Sequence, residues 1–169
     1  VAKMFSFCEI QKVLVRLLCE NVPIKNLATI LETLADYGNV TKNPDELTEL
    51  ARQALSPVIT QRFLVGEDVA ILALDAKLEQ LIAEKTKKTE TGLVTVLEPN
   101  QLQAIFSSTR ELLERFTLQG KRVVVIAAPA VRPRFKKLIE QVAPRLPVVS
   151  YAEIDPSLEL HIEGVIKAA

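Results

Sequence analysis

The apolar positions of this chain follow two regimes. From residue 9 to about residue 64 they recur every three or four positions, and from residue 69 onward they also gather in short continuous runs. The first pattern belongs to helices that bury one face, the second to strands buried on both. Residues 9–20 align Ile10, Val13, Leu14, Leu17 and Leu18 as one helical stripe, with Lys12 and Arg16 opposite. Asn21-Val22-Pro23 ends that helix, because the residue before a proline avoids the α region. A second helix over 24–37 is predicted to bury Leu27, Ile30, Leu31 and Leu34, with Tyr37 at its end and Gly38 as a positive-φ stop. The third has the clearest start: Asn43 as N-cap, Pro44 at the first helical position, and Asp45 and Glu46 at the positive end of the dipole. Leu47, Leu50, Ala51, Ala54 and Leu55 form its core face. Pro57 breaks the ladder near Ser56, and a short helix resumes over 58–64.

After the turn Gly66-Glu67-Asp68, the run Val69–Leu74 reads as a buried strand, and Asp75 caps a helix carrying Leu78, Leu81 and Ile82. The polar stretch 84–92 reads as a surface connection and Leu93–Leu97 as extended chain. Glu98-Pro99 opens a long helix that stops at Gly120. Val123-Val124-Val125-Ile126 is the most strand-like run, followed by a helix over 131–142, a strand at 147–150, and a half-exposed strand over Leu158–Ile166, where apolar and polar residues alternate. The predicted architecture is α/β of the α+β kind: a small all-helical subdomain, 1–65, then an α/β subdomain, 66–169, with a small mixed sheet.

A chain of 169 residues can bury roughly 70% of its unfolded surface. Its 21 basic and 21 acidic residues balance, which weighs against a nucleic-acid partner. Cys8 and Cys19 lie about 16 Å apart if they share a helix, beyond disulfide reach. One histidine and no CxxC pair leave no recognised zinc site, and no apolar run is long enough to cross a bilayer. Val1 is not an initiator methionine, so a piece of a longer protein is expected.

The candidate chemistry is thin. Glu32 and Asp36 share a helix face without a histidine or cysteine to meet them, which reads as a solvated face. Glu153 and Asp155 sit in ordinary turn chemistry, and His161 reads as a solvent-facing strand residue. The turn after Ile126 lies where doubly wound folds bind phosphate, but Ala127–Pro133 contains no glycine to let backbone amides cradle one. Arg132, Arg134, Lys136 and Lys137 beside it form a basic cluster that could face a protein partner. No catalytic residue, metal ligand or cofactor is expected. A small-ligand-binding regulatory α/β domain, using the turn after Ile126, is the alternative reading.

Glu9-Ile10-Gln11-Lys12-Val13-Leu14, Val22-Pro23-Ile24-Lys25-Asn26-Leu27 and Thr29-Ile30-Leu31-Glu32-Thr33-Leu34-Ala35-Asp36-Tyr37 resemble the C-terminal cytoplasmic region of the FHIPEP family, the large membrane components of flagellar and virulence type III export gates. The likeness continues at Asp45-Glu46-Leu47-Thr48-Glu49, at Leu74-Asp75-Ala76-Lys77-Leu78-Glu79-Gln80, at Arg132-Pro133 and at Val148–Ile154, where Ser150-Tyr151-Ala152-Glu153-Ile154 is closer to the flagellar branch. The resemblance implies the last two subdomains of a cytoplasmic half at the inner face of the bacterial inner membrane, reaching that membrane only through a preceding membrane half. It implies a ring of identical copies that docks export chaperone–substrate complexes and soluble export components, with the main chaperone cleft in earlier subdomains. A ring needs head-to-tail contacts, for which Glu32, Asp36, Asp45, Glu49 and Arg52 are the candidates on exposed faces of the helical half.

Overall fold

In the computed structural model, which describes residues 3–168, the first helix starts before the apolar pattern places it. Helix α1 (Phe7–Cys19) is nucleated by a capping box. The Ser6 hydroxyl accepts from the Glu9 amide at 3.3 Å, and the Glu9 carboxylate accepts from the Ser6 amide at 2.7 Å. Helix α2 (Leu27–Tyr37) is shorter than the expected 24–37, because the chain stays non-helical through Pro23 and Ile24. Helix α3 (Pro44–Ala54) begins where Asn43-Pro44 places it, and the Asn43 side chain accepts from the Asp45 amide at 3.0 Å. A one-turn helix, α4 (Ser56–Ile59), follows with Pro57 in its first turn, and a π-turn spans Thr60–Leu64.

Gly38 departs from expectation. Its φ is −64°, in the ordinary right-handed region, so no left-handed stop ends α2. The glycine is required for space: a Cβ there would lie 2.7 Å from the Phe5 ring and from the end of Met4.

Two compact units emerge. The helical one takes the chain to Arg62 plus the distant segment Glu153–Asp155; the other takes Phe63–Ala152 and the chain from Pro156. In the helical unit, α3 packs against both α1 and α2. Val13, Leu17, Ile30, Leu34, Leu47, Ala51 and Leu55 are all sealed from water there. Each of these valine, leucine and isoleucine side chains contributes about 2 kcal/mol, and the Ala51 methyl less.

The second unit is built on a four-stranded parallel sheet in the order β5-β4-β1-β6, where β1 is Val69–Leu74, β4 Arg122–Ala127, β5 Val148–Ser150 and β6 Ile162–Ile166. Its antiparallel strands lie apart, in the hairpin of β2 (Thr86–Thr89) and β3 (Gly92–Thr95). That hairpin replaces the surface connection expected at 84–92. Threonines favour the extended chain, the Thr86 and Thr95 hydroxyls meet at 2.6 Å across the strands, and Gly92 takes φ 122° at the turn. Helix α5 (Ala76–Lys85) precedes it. Helix α6 (Pro99–Leu118) packs against β4 and β6, and α7 (Arg132–Ile139) against β5. Leu72, Val125, Ile105, Phe135 and Ile166 are central to one continuous core.

The last strand is shorter than the alternation suggests. Only Ile162–Ile166 pairs, and residues 158–161 run outside the ladder. Its register against β1 slips at Gly164, where a Cβ would stand 2.9 Å from a Leu72 methyl.

Candidate interaction surfaces

Helix α2 carries Glu32 and Asp36 one turn apart, both exposed, and no cation along its length. Asp45 is exposed at the start of α3 and binds Arg16 of α1, Arg16 Nε donating to its carboxylate at 2.7 Å. Glu49 is half-buried on the same helix. These acids are spread over two helices rather than gathered at one point.

Arg52 does not lie on an exposed face. It is 1% exposed, and its Nε and Nη2 both donate to one oxygen of Glu153 at 2.7 Å; Glu153 is itself fully buried. Glu20 stands 3.7 Å from the guanidinium on another side. The position explains the error: Arg52 falls beside Ala51 and three residues before Leu55, inside the arc that α3 buries. The neighbouring chain is fixed by Thr60, whose hydroxyl accepts from the Asp155 amide at 3.0 Å.

The basic cluster also divides. Arg132 is 1% exposed and donates to the Val148 carbonyl at 3.0 Å. Lys136 is buried too, its ammonium donating to the carbonyls of Pro144 at 3.1 Å and Leu146 at 2.9 Å. Arg134, half-buried, donates to the Leu93 carbonyl of the hairpin. Of the four, Lys137 is the one fully turned to water. Two cations of the expected basic face therefore serve as internal donors to the backbone entering β5. The spacing carried the signal: 132, 135, 136 and 139 lie on one helical arc, with cations in two of the four core slots.

Beyond β4, where a phosphate would sit in a nucleotide-binding fold, the Ala128 amide donates to the Glu79 carboxylate of α5 at 3.3 Å. The protein's own anion occupies that direction. Partial burial of Tyr151 and, after it, the charge of the same carboxylate push the Tyr151 hydroxyl above its usual pKa. At the neighbouring strand end, the Asp75 amide donates to the Ile166 carbonyl at 2.9 Å. Among the described residues, no group of three or more His, Cys, Asp or Glu side chains could hold a metal ion, and no helix is long and apolar enough to cross a membrane. His161 is exposed next to β6.

The sequence reading missed the outer side of α1. Phe7 is 93% exposed, and Val15 and Leu18 about half exposed, on a helix whose exposed cations are Lys12 and the Asp45-bound Arg16. The missed signal is that α1 has apolar residues on nearly every side.

The FHIPEP family model matches residues 1–159. The chain belongs to the FHIPEP family. It is 40% identical over 162 residues to the flagellar biosynthesis protein FlhA of Bacillus subtilis, a match covering 95% of this chain and 24% of that protein. This member thus spans about a quarter of the length of the curated relatives it matches. Among solved structures it is similar to the Chlamydia pneumoniae CdsV protein, with a TM-score of 0.89, 30% identity, and coverage of 98% of this chain and 48% of that one. It is similar as well to the nonameric SctV-C of EPEC, with a TM-score of 0.85, 27% identity, and coverage of 98% and 50%. The family membership expected from residues 9–37 and the α/β architecture both hold.

Proposed function

We propose that this FHIPEP-family chain is a module of a protein-export gate, working by contact with other polypeptides and without chemical turnover. In this reading it contributes to a ring of identical copies on the cytoplasmic face of the inner membrane, and to docking of export chaperones, their substrates and soluble export components. The observation that carries the reading is the family match over residues 1–159, joined to a fold shared over 98% of the chain with a relative that is nonameric. The surface chemistry supports it: exposed acids on α2 and α3 and an exposed apolar helix face suit protein contact, while the strand ends of the sheet bind their own carboxylate and carbonyl. The proposed order of the chain, a helical subdomain over 1–65 and an α/β subdomain over 66–169, assigns ring contacts to the first.

A pull-down with export chaperones tests the docking part, comparing this chain with the whole cytoplasmic region of a relative such as the Bacillus subtilis protein. Binding is expected to the longer polypeptide and to be weak or absent here. Strong binding to this chain places a docking surface within these residues, and loss of binding to both overturns the docking reading.

A further inference from the structure

Arg134 ties the hairpin of β2 and β3 to α7. It donates from Nη1 to the Leu93 carbonyl of β3, while its Nε is shut from water and has no acceptor. Lys88 stands directly across the hairpin from Leu93, on the same face, and Lys137 lies one turn along α7 from Arg134. Lys88 and Lys137 are exposed, and Leu93 beside them is 48% exposed. Among the described residues, no carboxylate pairs with any of the three cations. The acids of the neighbouring segments are engaged elsewhere or lie in water. Glu79 accepts from the Ala128 amide, Glu84 accepts from Gln80, and Glu90 and Glu140 are exposed. A guanidinium so placed has an unmet demand, because a carbonyl at one Nη supplies neither a counter-charge nor a partner for Nε. A carboxylate bound side-on takes Nε and Nη2 together, through the planar fork that arginine offers and lysine does not.

We propose that Lys88, Arg134 and Lys137, with Leu93, form a docking surface for an acidic segment of another polypeptide, one that carries apolar side chains among its carboxylates. One carboxylate takes Arg134 side-on and turns it outward from the Leu93 carbonyl. Others meet Lys88 and Lys137, and an apolar side chain covers Leu93. The inference rests on the reading of this chain as a module that works by contact with polypeptides, and adds the place and the charge of one such contact. The exposed leucine favours a polypeptide over a nucleic acid, since a phosphate backbone gains nothing from it, and 21 acids balance 21 bases over the whole chain.

Fluorescence anisotropy on the intact chain tests it, with a fluorescein-labelled peptide alternating glutamate and valine as the probe. Saturable binding is expected, weakened when glutamine replaces the glutamates or serine the valines. Arg134→Lys keeps the charge without the fork and is expected to weaken binding about tenfold, as is Lys88→Glu. Lys25→Glu makes the same charge change at an exposed position of the helical unit and is expected to stay within about twofold of the parent chain. Circular dichroism and thermal melting check that the variants fold. Amide shifts on adding the peptide, read by NMR on the parent chain, are expected at Leu93 and Arg134. Absence of saturable binding, shifts that spare both residues, or equal weakening by Lys25→Glu overturns the surface. Unchanged binding by Arg134→Lys overturns the side-on carboxylate, and equal binding of oligothymidylate overturns the polypeptide assignment. Each of these failures leaves the export-gate reading standing, because that reading is decided by the separate pull-down with chaperones.

Discussion

Arg52 and Glu153, 101 residues apart in the chain, form an ion pair from which water is shut out on both sides. An ion pair so buried adds little net stability against a well-packed apolar pair, yet removing Glu153 leaves the buried guanidinium with the longer 3.7 Å approach of Glu20 in place of its 2.7 Å contacts. Glu153→Ala is expected to lower unfolding stability by about 3 to 5 kcal/mol, and Arg52→Met with Glu153→Leu to recover most of it. Urea denaturation of the two variants beside the parent chain makes the comparison.

The cations of α7 differ sharply in worth. Arg132→Ala or Lys136→Ala leaves backbone carbonyls at Val148, or at Pro144 and Leu146, without a charged donor and costs about 2 kcal/mol each. Lys137→Ala, on the same helix but in water, changes stability by less than about 0.5 kcal/mol. A basic face used purely for binding gives the opposite signature, with stability unmoved in all three, and parallel thermal melts separate the cases.

Gly38→Ala runs against helix propensity. Alanine is the better helix former, but its methyl would meet the Phe5 ring at 2.7 Å. The substitution is expected to destabilise by about 1 to 3 kcal/mol, the cost of overpacking, and a chemical melt reads it.

Acid sensitivity has an identifiable source where the two inner strands, β1 and β4, begin. Asp68 is held below the usual carboxylate range mainly by its hydrogen bond from Arg122, which donates through Nε at 2.8 Å. A carboxyl depressed in the folded state stabilises it above the unfolded pKa and loses that contribution as pH falls through the folded value, here below about pH 4. Asp68→Asn should therefore flatten the acid limb of a stability profile taken between about pH 5 and pH 2. It should not abolish the limb, because Glu9 is depressed in the same sense by its hydrogen bonds to Ser6.

Elements with a local cause were legible before the structure was seen. Asn43-Pro44 fixed the start of α3, Glu98-Pro99 that of α6, and uninterrupted apolar runs marked β1 and β4. What escaped depends on partners remote in sequence. Thr86 becomes a strand residue through Thr95, Gly38 is small because of Phe5, and Arg52 is inside because Glu153 arrives to meet it. Charge type alone placed Arg52, Arg132 and Lys136 on the surface, although their helical positions put them in buried arcs. The α1 face was missed for the converse reason: a stripe of apolar residues was read as core, though Leu18 and the uncounted Phe7 and Val15 face outward.

The order of pairing in the sheet bears on how the protein is made. β1 lies between β4 and β6, so the strand synthesised first in that sheet gains its second neighbour only when the chain has been made as far as Ile162–Ile166. The helical unit waits as well, since Glu153, which accepts from Arg52 at 2.7 Å, emerges about a hundred residues after the arginine. Neither unit can reach its final state until these late segments, Glu153–Asp155 for one and Ile162–Ile166 for the other, have joined it.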